Sequence, residues 1–145
     1  SSDPNNPLFT QAMNPMQISL VLAAHDPKAL SHFYGALFNA TICAGKADHH
    51  KILDLGNGLR LEIYRPSQHR PFPVAGRALS VCLKRSAHHT PLVELEHHVS
   101  HALSLGASVV EPARLEPFGA ECWMNDPEGN AFLLLIPIAR SEGSA

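Results

Sequence analysis

Apolar residues recur along this chain with two different spacings, one typical of strands and one typical of helices. Residues 17–24, QISLVLAA, form a short aliphatic run that predicts a buried strand. Asp26 and Pro27 then supply a helix N-cap and a proline at the first helical position. Apolar residues follow at spacings of three and four: Leu30, Phe33, Tyr34, Leu37 and Phe38. This pattern predicts a helix with one apolar face, which ends at Asn39 and Ala40.

Three further strands are predicted after this helix. They cover residues 41–45, 51–55 and 59–64. A Gly-Asn-Gly turn at 56–58 joins the last two strands, and Pro66 ends the last one. The first half of the chain is therefore expected to fold as a strand, a helix and three strands.

The second half begins in the same way. Residues 78–83 are predicted as a strand whose Leu79, Val81 and Leu83 face a helix, which leaves the alternate residues on the opposite face. A Thr-Pro pair at 90–91 begins that helix. Its apolar face is formed by four residues: Leu95, Val99, Ala102 and Leu103.

Three strands also close the second half, and they are predicted at 108–110, around 122–124 and at 131–136. The turn Asp-Pro-Glu-Gly at 126–129 precedes the last of them. Three pairs of residues are each separated by 71 positions: Gly58 and Gly129, Glu62 and Leu133, and Pro66 and Pro137. This correspondence predicts an α+β fold of two tandem βαβββ units, and a plain α+β sandwich without a repeat is the alternative.

A single domain is predicted over residues 16–138, with units at about 16–66 and 76–138. Residues 1–15 are polar and rich in proline and asparagine, so they are expected to be a flexible leader or an expression remnant. Residues 139–145 are expected to be a flexible tail.

Composition excludes several classes of protein. The 145 residues are 45% hydrophobic and 17% charged, which is typical of a folded globular domain. The formal net charge of −2 and the lack of a lysine or arginine block argue against a nucleic-acid partner. The longest apolar run, at 131–136, is far shorter than the roughly 20 residues of a membrane-spanning helix. Three widely spaced cysteines argue against a disulfide framework or zinc ribbon and favour a cytoplasmic location.

Three segments carry a resemblance to a known superfamily: HDP…LSHFYGALFNA at 25–40, NGLRLEIYRP at 57–66, and LSLGASVVEP…WMNDPEGNAFLLLIP at 103–137. They resemble the vicinal oxygen chelate superfamily, which includes glyoxalase I, bleomycin resistance proteins and extradiol dioxygenases. The resemblance implies curled mixed sheets around a cup-shaped cavity. It also implies a homodimer in which the subunit interface completes the cup. Because this scaffold supports many chemistries, the resemblance indicates the fold more strongly than the function.

Metal-dependent members of the superfamily carry His, Gln or Glu at four positions that face the cup. The matching positions in this chain are Ser19, Glu62, Ala78 and Leu133. Only Glu62 could bind a metal, whereas zinc, nickel or iron needs at least three protein donors. The resemblance therefore leads us to expect neither a metal nor any other cofactor.

Glu62 is the strongest candidate for a functional side chain. A carboxylate on an apolar cup wall is expected to be desolvated, which raises its pKa and suits a general base or a counter-charge for a cationic ligand. The alternative is a carboxylate at a wet pocket mouth, paired with Arg60 or a nearby tyrosine. Arg60, Glu62 and Tyr64 alternate along one strand, so they are expected to share one face.

The expected ligand-binding residues line the cup or stand beside it: Ser19, Val21, Arg60, Glu62, Tyr64, Ser80, Cys82, Trp123, Leu133 and Leu135. Trp123 could stack on an aromatic ligand, although a filled core is the alternative for the whole set. Cys82 is expected to be a small buried hydrophobe because no partner base can be identified. His97 and His101 are four residues apart on the second helix, and their acidic neighbours favour a solvated face over a metal site.

The leading functional hypothesis is a small-molecule-binding protein of the bleomycin resistance type, which sequesters or senses a hydrophobic or aromatic ligand without a metal. The first alternative is an enzyme of the same superfamily, with displaced metal ligands or with Glu62 as a general base. The second alternative is a catalytically silent interaction module.

Overall fold

The computed structural model describes residues 18–76 and 78–140. The predicted leader therefore lies outside the described residues, as does most of the predicted tail. The first unit contains β1 (Ile18–Ala23), α1 (Pro27–Phe38), β2 (Thr41–Ala44), β3 (His50–Asp54) and β4 (Leu59–Tyr64). The second unit contains β5 (Val81–Lys84), α2 (Pro91–Ser104), β6 (Ser108–Val109), β7 (Arg114–Glu116), β8 (Gly119–Asn125) and β9 (Ala131–Pro137).

Each unit forms one mixed sheet. The strand order is β1-β4-β3-β2 in the first sheet and β5-β9-β8-β6 in the second, and β7 also pairs with β8. β1 lies parallel to β4 and β5 lies parallel to β9, whereas the other pairs are antiparallel. The predicted α+β fold of two βαβββ units is therefore confirmed. β6 and β7 together take the place that β2 has in the first unit.

Glycines in the turns before the last strands explain part of the sequence correspondence between the two halves. Gly58 and Gly129 both have positive φ angles, 78° and 86°, which disfavour a side chain with a Cβ atom. Each glycine lies just before the last strand of its unit. In the second unit the backbone N–H of Asp126 donates to the Asn130 carbonyl at 2.8 Å, which closes the DPEGN turn.

The core lies between the helices and one face of each sheet. Alternate residues of the last strands are buried on this face: Leu61 and Ile63 in β4, and Phe132, Leu134 and Ile136 in β9. The residues between them are half-buried and point away from the helices. We call the face opposite the helices the open face of each sheet.

A buried contact joins the two units. Its members are Phe33 and Tyr34 of α1, Asp126 of the DPEGN turn and Phe132 of β9, and we call them the inter-unit joint. The Tyr34 hydroxyl donates to Asp126 Oδ2 at 2.6 Å. The Phe132 ring lies 5.9 Å from the Phe33 ring and 6.2 Å from the Tyr34 ring, between ring centroids. Burial, followed by the charge of Asp126 and its hydrogen bond, raises the pKa of Tyr34 above its ordinary value.

Three predictions for the start of the second unit were wrong. β5 begins at Val81 rather than at residue 78, and Leu79 is 83% exposed instead of facing the helix. The register explains both differences, because Val81 pairs with Phe132 and Leu79 would fall opposite Asn130, inside the turn. Cys82 is exposed rather than buried, because it lies on the open face. Partial desolvation nevertheless raises the pKa of the Cys82 thiol, which disfavours a reactive thiolate.

Neither helix in the described part of the chain has the length and apolar character that a membrane crossing requires.

Candidate ligand site on the open face

Three residues of β4 define one wall of the candidate site. Arg60, Glu62 and Tyr64 are half-buried on the open face, while the residues between them are buried in the core. The parallel register places Val21 of β1 beside Glu62, and Ser19 beside Arg60. The open face of the first sheet therefore brings five of the predicted ligand-binding residues together.

Glu62 is held by hydrogen bonds from two other strands. His50 Nε2 lies 3.0 Å from Glu62 Oε1, and the Ser19 hydroxyl donates to the same carboxylate. The backbone N–H of Lys46 donates to His50 Nδ1 at 3.0 Å. Because Nδ1 accepts this hydrogen bond, we assign the imidazole proton to Nε2, which then donates to Glu62.

This arrangement lowers the pKa of Glu62, contrary to our expectation of a raised one. The hydrogen bond from Ser19 is the largest cause, and His50 and Arg60 also lower it. Partial burial raises the pKa but is outweighed, because donors from two neighbouring strands stabilise the charged form. The carboxylate is therefore ionised at neutral pH, which suits a fixed counter-charge better than a general base.

A cavity of about 320 Å³ opens beside this carboxylate. Glu62 and His50 lie in its wall with Val21 and the Tyr64 ring. Four loop residues complete the lining: Lys46, Ala47, His49 and Arg65. Within the described residues, neither Lys46 nor Arg65 forms an ion pair. The cavity thus offers one anion in its wall and two cations on exposed loop residues.

His50 was not among the residues predicted for this site. The sequence predicts β3 to begin at Lys51, so the face of the preceding histidine was not assigned. The strand begins at His50, which lies opposite Tyr64 in the antiparallel register. Extending the alternation of residues 51–55 by one position would have placed this histidine beside Glu62.

The remaining predicted residues lie on the second sheet. Cys82 and Trp123 both pair with Leu133, and Leu135 pairs with Glu121, so these residues share its open face. Ser80 lines a different cavity, which also includes Val21. The described structure therefore divides the predicted ligand-binding set between the two sheets.

The register also changes one of the four positions at which the superfamily binds metal. Ser19 stands two residues before the β1 partner of Glu62. The equivalent residue in the second unit stands two residues before Cys82, which is the β5 partner of Leu133. That residue is Ser80, and not Ala78 as predicted from the sequence.

The four positions are therefore Ser19, Glu62, Ser80 and Leu133, and they do not fit the metal of the superfamily. Only one of these side chains is a carboxylate or an imidazole, and His50 adds only one more donor. Over residues 18–76 and 78–140, no group of three or more His, Cys, Asp or Glu side chains could hold a metal ion.

Three histidines, two in α2 and one before its start, surround the Glu94 carboxylate. His97 Nδ1 and His98 Nε2 lie 3.9 Å and 3.3 Å from the two oxygens of Glu94, and His88 Nε2 lies 3.8 Å away. The His97 side chain is 72% exposed, so this part of the helix is a solvated face.

A sequence comparison identifies the family. The profile of the glyoxalase-like domain matches residues 19–135, which is most of the chain. The chain belongs to the glyoxalase-like domain family. This match confirms the resemblance to the glyoxalase and bleomycin resistance superfamily. No curated protein matches the sequence.

Solved structures share the fold of this glyoxalase-like chain. A glyoxalase/bleomycin resistance protein from Albidiferax ferrireducens T118 has a TM-score of 0.63 at 15% identity, covering 82% of this chain and 96% of its own. The fosfomycin resistance protein FosX from Listeria monocytogenes has a TM-score of 0.58 at 15% identity, covering 85% and 92%. Lactoylglutathione lyase from Agrobacterium tumefaciens has a TM-score of 0.55 at 18% identity, covering 86% and 95%.

Proposed function

We propose that this glyoxalase-like chain binds a small aromatic molecule in the cavity beside Glu62, without a metal, and sequesters or senses it. The observation that carries the proposal is the ionised Glu62 carboxylate, fixed by Ser19 and His50 in a wall that also contains an aliphatic and an aromatic side chain. An apolar wall with few, well-placed polar groups is typical of small-molecule sites. A solved structural neighbour is described as a glyoxalase/bleomycin resistance protein, which is compatible with a binding role.

The charges around the cavity narrow the ligand further. Glu62 favours a cationic group near the strand wall, and Tyr64 offers an aromatic surface beside it. Lys46 and Arg65, on exposed loops, favour an anionic group on the solvent side. The combination favours an aromatic ligand that carries both an ammonium group and an acidic group.

Three compounds with the same phenol ring test this ligand class: tyramine carries only the amine, tyrosine carries amine and carboxylate, and 4-hydroxyphenylacetate carries only the carboxylate. We expect tyrosine to raise the melting temperature most, tyramine to raise it less and 4-hydroxyphenylacetate to raise it least. A rise in melting temperature with 4-hydroxyphenylacetate alone, and not with tyrosine or tyramine, would contradict the role of Glu62. No shift with any related aromatic compound would favour a silent interaction module.

Substituting Glu62 by glutamine should weaken tyramine binding about tenfold, because a charge-assisted hydrogen bond contributes about 1.5–3 kcal/mol and the site is partly solvated. Isothermal titration gives the dissociation constants. Glu121→Gln is the matched control, since Glu121 also faces the open side of a sheet but is bound by Arg114 at 2.6 Å. Equal losses in both variants would contradict a specific role for Glu62.

The same titration, repeated across pH, separates a counter-charge from a general base. The pKa of Glu62 is lowered from 4.5, so its charge persists as pH falls to that value and is lost only in more acidic solution. Tyramine affinity should therefore remain constant from pH 7 to about pH 4.5 and fall only in more acidic solution. A fall already between pH 7 and 6 would indicate a raised pKa and would favour the general-base alternative.

The metal-dependent alternative has a direct test. Elemental analysis of protein purified without a metal-affinity column should show no stoichiometric zinc, nickel, iron or manganese. About one tightly held metal per chain would contradict the proposal and favour an enzyme with displaced ligands.

We also propose that the chain forms homodimers in the cytoplasm. Val21 is 67% exposed on the open face and Ile18 is 50% exposed at the start of the same strand. A second subunit covering these aliphatic side chains would complete the binding cavity. The free cysteines Cys43, Cys82 and Cys122 are compatible with a reducing compartment, and the net charge of −2 gives no reason to expect a nucleic-acid partner.

A further inference from the structure

A second cavity, of about 370 Å³, lies where the two units meet. Its walls include residues 20–23 of β1, the segment 72–76, and residues 78–81, which lead into β5. We call it the seam cavity. The stretches 20–23 and 78–81 are each runs of consecutive residues. Because side chains alternate between the two faces of a strand, such runs indicate that the cavity is bordered by strand edges rather than by one sheet face.

The backbone of β1 presents unpaired groups on this side. Ile18 N donates to Gly58 O at 2.8 Å and Ala24 N donates to Tyr64 O at 2.9 Å, so the even-numbered residues bond to β4. Consecutive strand residues direct their N–H and C=O groups to opposite edges. The amides of Val21 and Ala23 therefore point away from β4, and both residues line the seam cavity.

The start of β5 presents an edge of the same kind. Arg85 N donates to Leu135 O at 3.0 Å, so the odd-numbered residues bond to β9. The backbone groups of Cys82 consequently point away from β9. β1 and β5 are the terminal strands of their sheets, and no strand within residues 18–76 and 78–140 pairs with either of these edges.

Ser80 contributes a further unsatisfied group. Its Oγ atom is shut off from solvent and has no hydrogen-bond partner among the described residues. A buried hydroxyl without a partner destabilises the free protein. Ser80 belongs to the cavity lining, so a ligand with a polar group at this end could supply the partner after a small adjustment.

The remaining walls are mainly apolar. They include Leu22, Leu61 and Val81, and Phe72 stacks on His25 with ring centroids 3.8 Å apart. Among the described residues, no backbone hydrogen bond joins positions 71–79 to either sheet.

We propose that the seam cavity binds a short, extended, apolar peptide or a peptide-like small molecule. The ligand adds to the free edge of β1, where its amide groups pair with the backbone of Val21 and Ala23 and one polar group meets Ser80 Oγ. The volume lies at the lower end of the range for small-molecule sites, so the ligand spans only a few residues. The two cavities share Val21 in their walls, but Glu62 lines only the other one, so this proposal does not depend on the function proposed for the Glu62 cavity.

The probe is the blocked tripeptide acetyl-Ala-Leu-Ala-methylamide, observed by ¹⁵N-resolved amide NMR. We expect it to shift the Val21 and Ala23 amide signals and to slow their hydrogen exchange. An analogue with an ester in place of the central amide has the same shape but lacks one N–H donor. It should bind about fivefold more weakly, since one hydrogen bond contributes about 1 kcal/mol. Saturating tripeptide without any change at Val21 and Ala23 would overturn the proposal.

Ser80→Ala distinguishes a ligand contact from a simple packing defect. The variant should raise the melting temperature by about 2–4 °C, because it removes an unpaired buried hydroxyl. It should also weaken tripeptide binding about fivefold. Ser100→Ala, on an exposed position of α2, is the matched control and should leave the affinity unchanged. A higher melting temperature with unchanged affinity would refute the role of Ser80.

A second variant tests the cavity itself. A Cβ atom at Gly76 would meet no atom within 4 Å, so Gly76→Leu should fold. Because Gly76 lines the cavity, the longer side chain should weaken tripeptide binding. Full affinity in this variant would contradict the site.

In a chain shortened to begin at Met16, hydrogen exchange of the Val21 and Ala23 amides should be unchanged. Faster exchange there would show that the chain's own N-terminal segment covers this edge, which would overturn the proposal of a free ligand.

Discussion

Replacement of Phe132 by alanine is expected to lower the free energy of unfolding by about 3–5 kcal/mol, the range for removing a fully buried aromatic side chain. Phe132 has no exposed surface and its ring contacts both Phe33 and Tyr34 across the inter-unit joint. Edge-to-face aromatic pairs add about 0.5–1.5 kcal/mol beyond the area they bury. The substitution therefore removes core packing in the second unit and weakens the attachment of α1 at once.

Leu133→Ala is the matched control for this measurement. Leu133 is the next residue of β9 but lies half-buried on the open face. Its truncation should therefore lower the free energy of unfolding by only about 1 kcal/mol. Urea unfolding, followed by circular dichroism, gives both values. Similar losses in the two variants would show that the faces of β9 have been assigned incorrectly.

Replacement of Asp126 by alanine is the second substitution with a large expected effect. It should lower the free energy of unfolding by about 3 kcal/mol. Asp126 is 3% exposed, and its carboxylate accepts hydrogen bonds from the Tyr34 hydroxyl and from the backbone N–H groups of Glu128 and Asn130. The alanine variant leaves a buried hydroxyl unpaired and removes the acceptor that organises the DPEGN turn. Asp54→Ala, in which an exposed carboxylate accepts from Gly56 N, is a control with a smaller expected loss.

Alkaline unfolding isolates the contribution of Tyr34. The folded pKa of Tyr34 is raised by burial and by Asp126, whereas in the unfolded chain it returns to about 10. Above pH 10 the unfolded chain therefore loses a proton that the folded chain keeps. Stability should fall by up to about 1.4 kcal/mol per pH unit in this range, and it should be fully retained below it.

Tyr34→Phe removes this proton, so the free energy of unfolding should decline less steeply above pH 10. The comparison uses urea unfolding at several pH values for both proteins, in identical buffers. An equally steep decline in the phenylalanine variant would show that other groups control alkaline stability.

The repeat could be predicted from the sequence because its signals are local. The capping residues and the apolar helical spacing lie within a few residues of the elements that they specify. Gly58 and Gly129 mark the turn before the last strand of each unit by their backbone requirement alone. Local patterns of this kind require no knowledge of which strands pair.

The ends of the strands, and the sheet face on which each residue lies, could not be predicted in the same way. They depend on pairing with strands that are distant in sequence. β5 begins at Val81 because its ladder with β9 can start only after the DPEGN turn. The strand β7 was not predicted, since Arg114–Glu116 has no apolar alternation. Its antiparallel pairing with β8 is accompanied by a side-chain contact between Arg114 and Glu121. An edge strand of this composition has no signal that distinguishes it from a loop.

The charge state of the candidate site could not be predicted either. The expected rise in the pKa of Glu62 considered burial alone. The donors that reverse it belong to β1 and β3, and their proximity follows from the register of three strands. The contact between Tyr34 and Asp126 joins residues 92 positions apart, which no local pattern can indicate.

The inter-unit joint also distinguishes the two units from each other. The two units repeat one architecture, yet the joint takes its tyrosine only from the first unit and its carboxylate only from the second. Leu55 occupies the first-unit position that corresponds to Asp126, and His98 of α2 corresponds to Tyr34 and contacts Glu94. A chain assembled from two copies of one unit would hold a tyrosine without its carboxylate or a carboxylate without its tyrosine. The Tyr34–Asp126 hydrogen bond therefore requires one residue from each unit, and a chain made of two copies of either unit would lack it.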